Sequence, residues 1–452
     1  MMDTPICDFV RAYREKAGLR LHMPGHKGIG PLGCEPWDIT EIVGADELYR
    51  ARGIIRRSEE NAARLFGAGK TVYSTEGSSL CIRAMICLAL LNARQAGRQP
   101  LILAGRNAHR ALISAAALTG AEIRWVFDEK DQSMLSCSLT PDALESELNA
   151  LGEPIAGVYV TSPDYLGNML DIGALQAVCR RHDTPLLVDN AHGAYLKFLT
   201  EDRHPMTLGA DLCCDSAHKT LPVLTGGAYL HVGKRAPSLF AEQAEEAMAL
   251  FASTSPSYLT LQSLDACNAC LDGEFPLALN RLAARAAGMK EKLKACGFGL
   301  TGDEPAKITL MPKALGYTGY ELQAVLRARG MECEFADPDF VTLMLSPALT
   351  DGELDAAERV LTEIRAKAPI IEGPPPLPRP RRVLSIREAA LLPSREVPTE
   401  EAAGRVLADA HVGCPPCVPI LICGEAVDEA ALACFRYYGV ETCRVIEAME
   451  SH

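Results

Sequence analysis

Residues 185–193 read Pro-Leu-Leu-Val-Asp-Asn-Ala-His-Gly, and residues 211–220 read Asp-Leu-Cys-Cys-Asp-Ser-Ala-His-Lys-Thr. Each contains a short apolar run that ends in ionisable and hydroxyl groups, the pattern of a buried strand whose carboxyl end opens into polar surroundings. The same strand signal recurs in LILAG (101–105), IRWVF (123–127), IAGVYVT (155–161) and GGAYLHV (226–232). Helical patterns lie between them, at 78–97, 108–120 and 171–182. This alternation predicts an α/β fold, a mostly parallel sheet with helices on both faces.

The chain has 452 residues, 48% apolar and 23% charged, with a formal charge of −13. That composition is globular and excludes a disordered, collagen-like or low-complexity chain. The acidic balance argues against nucleic acid as a partner. No run approaches the ~18 apolar residues of a membrane span, and the opening MMDTPICDFVRAYREK carries charge where a signal peptide needs apolar residues. A cytoplasmic location with reduced thiols is therefore expected for the seventeen cysteines. Two C-x-x-C pairs, Cys267/Cys270 and Cys414/Cys417, lie too far apart for a compact zinc module, so no metal is expected.

The expected organisation is an N-terminal segment 1–37, a large domain 38–277, a small α/β domain 278–371, a stiff Pro-rich linker 372–382 (EGPPPLPRPRR) and a C-terminal domain 383–452. The last unit is expected to hold a helix over TEEAAGRVLADA (399–410), the turn GCPPCVP, a strand in PILIC and a final helix and strand.

Three places concentrate chemistry. Asp189 ends a buried strand, where a carboxylate is costly unless a cation meets it. Lys219 stands beside Ser216, His218 and Thr220 between two apolar strands, and a lysine there has a reason to exist if it forms an imine. Gly77-Ser78-Ser79 precedes the first long helix, and free N–H groups at a helix start suit a phosphate. A carboxylate for a pyridinium nitrogen, a Schiff-base lysine and a phosphate cradle together match pyridoxal 5′-phosphate (PLP).

Further motifs resemble one family. Leu21–Gly28 (LHMPGHKG) is similar to its N-terminal HxPGHKG, and Asp38-Ile39-Thr40-Glu41 and Phe66-Gly67-Ala68 follow as they do there. With Ser216-Ala217-His218-Lys219 and Ser253-Thr254-Ser255-Pro256-Ser257-Tyr258, the chain resembles the Orn/Lys/Arg decarboxylases, PLP enzymes of fold type I, in the short Gram-positive-like form without a receiver-like domain. Residues 413–425 (GCPPCVPILICGE) are similar to the family's C-terminal PPGIPxxxPGE. The resemblance implies decarboxylation of arginine, lysine or ornithine. It implies that Lys219 carries PLP, Asp189 meets the ring nitrogen, His109 stacks on the ring and His192 lies near it. Gly77, Ser78, Ser79, Ser216 and His218 would hold the phosphate, joined by Ser253 and Thr254 from the neighbouring subunit of a homodimer.

His22, His26 and Lys27 either line the site entrance or form a structural turn around Pro24-Gly25. His204, His231, Trp37 and Trp125 read as ordinary core or rim residues. Glu76 in the cradle turn, Asn190 after Asp189 and Cys417 in the C-terminal turn depart from the family pattern. Two rival readings are another fold type I PLP enzyme, an aminotransferase or lyase, and a catalytically silent binding protein. An aminotransferase needs an arginine for the substrate α-carboxylate, and none can be placed from the sequence.

Overall fold

The computed structural model describes residues 2–16, 18–127, 133–409, 413–414 (backbone only) and 418–447. Seven strands, β1 (Lys70–Ser74), β2 (Gln99–Gly105), β3 (Glu122–Val126), β4 (Ile155–Thr161), β5 (Leu186–Asp189), β6 (Leu212–Asp215) and β7 (Ala228–Val232), form one sheet. Its order is β1-β7-β6-β5-β4-β2-β3. β4, β5 and β6 pair in parallel, with Thr161 opposite Asp189 and Asp189 opposite Cys214. β7 runs antiparallel to both β6 and β1. The sheet is thus mixed and mostly parallel, and β5 and β6 deliver their last residues, Asp189 and Asp215, side by side.

The chain divides into two compact units. The first comprises residues 1–102, 141–162 and 171–278. β4, β5 and β6 are buried almost throughout, which is why they read as continuous apolar runs rather than alternating ones. Helix Ser78–Ala96 packs on this unit's strands with ten buried residues from Leu80 to Ala93. It ends at Gly97, whose positive φ of 67° allows the backbone turn that satisfies its last carbonyls. Helix Pro5–Glu15 is anchored by Asp265, whose carboxylate accepts the amides of Ile6 and Cys7 at 2.9 Å.

The second unit comprises residues 103–140, 163–170 and 279–452. One of its cores gathers Ile308, Leu310, Leu322, Leu326, Val341 and Leu361 beneath a four-stranded sheet built from Gly299–Thr301, Lys307–Met311, Phe335–Ala336 and Val341–Met344. Another gathers Val397, Leu407, Leu421, Leu432, Phe435 and Val445. Residues 371–381, around the prolines, form neither helix nor strand.

Of the helix expected over 399–410, the described residues 399–409 form no α-helix, and residue 410 lies outside the described residues. Only Thr399–Glu401 makes a single 3₁₀ turn. Gly404 then adopts φ +74° and donates its amide to Val427, and Val406 and Leu407 make isolated bridges to Ala426 and Val445. Glycine leaves the helical region at little cost, and the extended segment buries Leu407 completely. Strand β1, absent from the sequence reading, pairs five residues with β7. Cys267 is buried and Cys270 exposed on helix Tyr258–Leu271, while Cys417 and the side chain of Cys414 lie outside the described residues.

One buried acid strains the first unit. Glu59 is 2% exposed and accepts the Tyr73 amide at 2.9 Å, while its Oε2 has no hydrogen-bond partner among the described residues. Burial pushes its carboxyl from 4.5 up to about 8. The folded protein therefore holds a proton that the unfolded chain releases, and stability falls as pH rises from about 4.5 to about 8. Glu59→Gln removes this dependence. The gain in Tm over the parent should widen across that window and level off above it; a pH-independent difference would refute the assignment.

Candidate active site

The site is built on the carboxyl ends of β5 and β6 and on the start of helix Ser78–Ala96. Asp189 is 2% exposed. Its Oδ2 accepts the Tyr159 hydroxyl at 2.9 Å, and its Oδ1 accepts the Ala191 amide at 3.1 Å and the Cys214 thiol at 3.5 Å. Burial, reinforced by the Asp189 charge, drives the Tyr159 hydroxyl and the Cys214 thiol well above their ordinary pKa values. Both keep their protons and serve as donors.

After β6 the chain makes one helical turn, Ala217–Thr220. It places Lys219 Nζ 3.0 Å from His192 Nε2, so the residue three places past β5 meets the lysine four places past β6. Ser216 Oγ donates to Ser78 Oγ at 2.7 Å, which joins the turn to the start of the long helix. His218 Nδ1 lies 3.0 Å from the Gly227 carbonyl and donates to it, which leaves the Nε2 lone pair facing outward. Burial, with the Lys219 charge, lowers the His218 pKa and keeps the ring neutral near pH 7.

The cradle itself is open. Gly77 has φ +75°, and a Cβ added there would meet nothing within 4 Å. No side chain caps the helix it precedes. Gly77 donates its amide to Gly226, whose own Cβ would lie 2.7 Å from the Thr75 carbonyl, so the turn and the 226 loop approach through two glycines. The Glu76 carboxylate is occupied elsewhere: its Oε1 accepts the Ser253 amide at 2.8 Å. Ser253 and Thr254 are exposed, and Ser257 rather than Ser253 caps the following helix. The first unit thus brings together Asp189, His192, Ser216, His218, Lys219, Gly77, Ser78 and the backbone of Ser253. His109 belongs to the second unit, where it caps helix Arg110–Thr119.

The family model described as "Orn/Lys/Arg decarboxylase, major domain" matches residues 35–299. The chain belongs to the Orn/Lys/Arg decarboxylase family. It is similar to an arginine decarboxylase of Halalkalibacterium halodurans, 29% identical over 469 residues that cover 96% of this chain and 93% of the relative. An arginine decarboxylase of Bacillus subtilis is 28% identical, with 94% and 92% covered. Among solved structures, lysine decarboxylase A from Pseudomonas aeruginosa superposes with a TM-score of 0.77 at 17% identity, over 98% of this chain and 80% of that one. The fold is that of the type I PLP enzymes, and decarboxylation of basic amino acids with PLP is the family's chemistry. The residues on this chain suit that cofactor. They offer an uncapped helix start with an open glycine and paired hydroxyls for a phosphate, a buried carboxylate, and a lysine between them.

Behind this decarboxylase-family site lies a network that the sequence reading missed. His204, Asp215 and His231 are all fully buried. Asp215 Oδ2 lies 2.9 Å from His204 Nε2 and 3.2 Å from His231 Nε2, and its Oδ1 accepts Asn190 Nδ2 at 2.6 Å. His204 Nδ1 accepts the Met206 amide, so its Nε2 carries the proton and donates to Asp215. His231 Nε2 donates to the same carboxylate, which can only accept, and its Nδ1 faces the Thr71 hydroxyl at 2.8 Å. Burial alone would raise the Asp215 pKa, but the histidines outweigh it and hold the carboxyl well below its ordinary range. The three side chains have the composition of a metal site. A metal would need bare Nε2 atoms, which would turn a protonated His204 Nδ1 against the Met206 N–H. The cluster is built as a hydrogen-bonded anion instead, and Asn190, a departure from the family pattern, is one of its donors. Asp215→Ala would leave the buried N–H groups of His204, His231 and Asn190 without their acceptor. Denaturant unfolding should show a loss of about 3–5 kcal/mol; a change under 1 kcal/mol would contradict this reading.

Proposed function

We propose that the protein is a PLP-dependent arginine decarboxylase that works as a cytoplasmic homodimer. The observation that carries the reading is the contact between Lys219 Nζ and His192 Nε2, set between the buried Asp189 and the Ser78–Ser216 cradle. Arginine is preferred among the basic substrates because relatives from Halalkalibacterium halodurans and Bacillus subtilis that span nearly the whole chain carry that name.

When bound, PLP supplies an electron sink for the charge left on Cα as the carboxylate departs as CO2. Lys219 is the residue to carry it. Asp189 is the carboxylate that would keep the ring nitrogen protonated, held in place by Tyr159, Cys214 and Ala191. Ser78, Ser79, Ser216 and the open amides after Gly77 would hold the phosphate, and His218 could join them by taking up a proton at Nε2. His109 is the residue to stack on the ring. His192 Nε2 and Lys219 Nζ, 3.0 Å apart, can exchange the proton that Cα must receive after CO2 leaves.

The dimer reading rests on exposed apolar surface. Leu19, Leu21, Ile29, Leu32 and Val43 are each more than four-fifths exposed within one N-terminal stretch, more than a monomer usually leaves in water. Ser253 and Thr254 are the residues that would reach a neighbour's phosphate. The substrate test is to give the holoenzyme arginine, lysine and ornithine separately and measure amine and CO2. Arginine should turn over fastest. Asp189→Asn should keep the cofactor yet lose ~10²–10³-fold in kcat; no decarboxylation of any of the three, or near-normal turnover by that variant, would overturn the reading. Mixing a Lys219→Ala chain with a Ser253→Ala/Thr254→Ala chain tests the shared site. Partial recovery of activity is expected in mixed dimers, and none despite verified subunit exchange would rule sharing out.

A further inference from the structure

Helix Arg110–Thr119 begins at His109, whose Nδ1 accepts the Ala111 amide at 3.1 Å. That bond ties the imidazole to the first turn, so wherever the helix sits, the ring sits with it. Both ends of this helix are gripped by the C-terminal part of the same unit.

At the near end, Arg106 stands three residues before His109 with its side chain 11% exposed. Its guanidinium donates to the carbonyls of Pro419 at 3.1 Å and Ile420 at 3.0 Å, and its Nη2 lies 3.3 Å from Glu425 Oε2. It also lies over the Trp125 ring, 5.4 Å from its centroid. Glu425 is itself fixed, since its Oε2 accepts the Ile422 amide at 2.7 Å. Burial lowers the Arg106 pKa and raises that of Glu425, and each is restored in part by the other's charge. At the far end, Arg387 of helix Ile386–Leu391 donates to the carbonyls of Leu118 at 2.9 Å and Ala117 at 3.5 Å. These are among the last carbonyls of the helix, which have no partner inside it, and a cation there also suits the helix dipole. The two grips are one body: Val383 and Leu384 both donate to the Gly424 carbonyl, and the Cys423 thiol reaches Ile386 O at 3.7 Å.

We propose that residues 418–425 and helix Ile386–Leu391 form a clamp that positions His109, so that the C-terminal domain serves the active site by holding its ring-stacking residue. This gives a role to the degenerate C-terminal motif, whose Glu425 and backbone carbonyls are the parts that bind Arg106. The inference rests on the reading that His109 stacks on the cofactor.

The test is a mutant cycle on the full-length holoenzyme, reading the rate of cofactor loss on dilution into a PLP trap together with kcat and KM. His109→Ala should speed cofactor loss. Arg106→Lys keeps the charge but loses the two-carbonyl fork, and Arg387→Ala alters an exposed side chain, so neither need unfold the chain. Together they should speed cofactor loss in the same direction and lower kcat by up to about 10²-fold, with KM changed far less. Added to His109→Ala, they should do nothing more. If their effect persists undiminished without the His109 ring, or if Leu432→Ala with a matched loss of Tm reproduces it, the clamp is refuted. If His109→Ala alone leaves cofactor loss and kcat unchanged, it is the stacking role that fails, and the clamp falls with it.

Discussion

A carboxylate buried without water has to be met by donors, and in this protein Asp215 sets that requirement where β6 ends. Three separate elements converge to meet it: the loop that carries His204, strand β7 with His231, and the end of β5 with Asn190. The result cross-links the ends of two neighbouring strands one residue away from Asp189 on one side and from Ser216 on the other. Such a network is rigid because every donor has one permitted direction, and a half-satisfied version would cost more than an apolar core. The candidate site residues just beyond these strand ends inherit that rigidity. Lys219 and His192 can meet at 3.0 Å because the strand ends that launch them are fixed.

The same logic explains why the cradle tolerates Glu76. A carboxylate close to a phosphate is unfavourable in a medium of low dielectric. Here its oxygen is engaged by the Ser253 amide, which turns the charge toward the 253–257 segment and holds that segment beside the cradle turn. Gly77 and Gly226 do what no other residue could: one takes a positive φ in open space, and the other lets the backbone of Thr75 come within contact distance. A departure from the family pattern is thus absorbed by one hydrogen bond.

In the second unit, the corresponding constraint is the free ends of a ten-residue helix. Arg387 satisfies carbonyls at its last turn, and Arg106, four residues before its first, donates to the carbonyls of Pro419 and Ile420. The Pro-rich stretch 371–381 of this unit has no regular structure. The residues that follow it nevertheless bury Leu421, Leu432, Phe435 and Val445 in a core shared with Met134, Leu135, Leu166 and Phe335 of the same unit.

The amino-acid sequence by itself determined the α/β class, the family and the candidates for cofactor binding. Those signals are local: a continuous apolar run marks a doubly covered strand, and the polar residues just past it mark the strand's carboxyl end. Asp189, His192, Ser216 and Lys219 were legible for that reason, and Gly77-Ser78 because a glycine followed by hydroxyls opens a helix. Only the tertiary structure decided which residues meet. His204 and His231 read as ordinary histidines because the carboxylate that orients them, Asp215, looked like the last residue of one more strand. The partner of Glu76 lies 177 residues away, and that of Arg106 more than 300. Residues 399–409 carry a helical pattern, yet Gly404 and the burial of Leu407 draw them into extended pairing. The physical reason is common to all of these. Periodicity records which face of an element is buried, whereas a buried charge or a free helix end is satisfied by whichever donor or acceptor the fold brings near, and nothing in the local pattern names it.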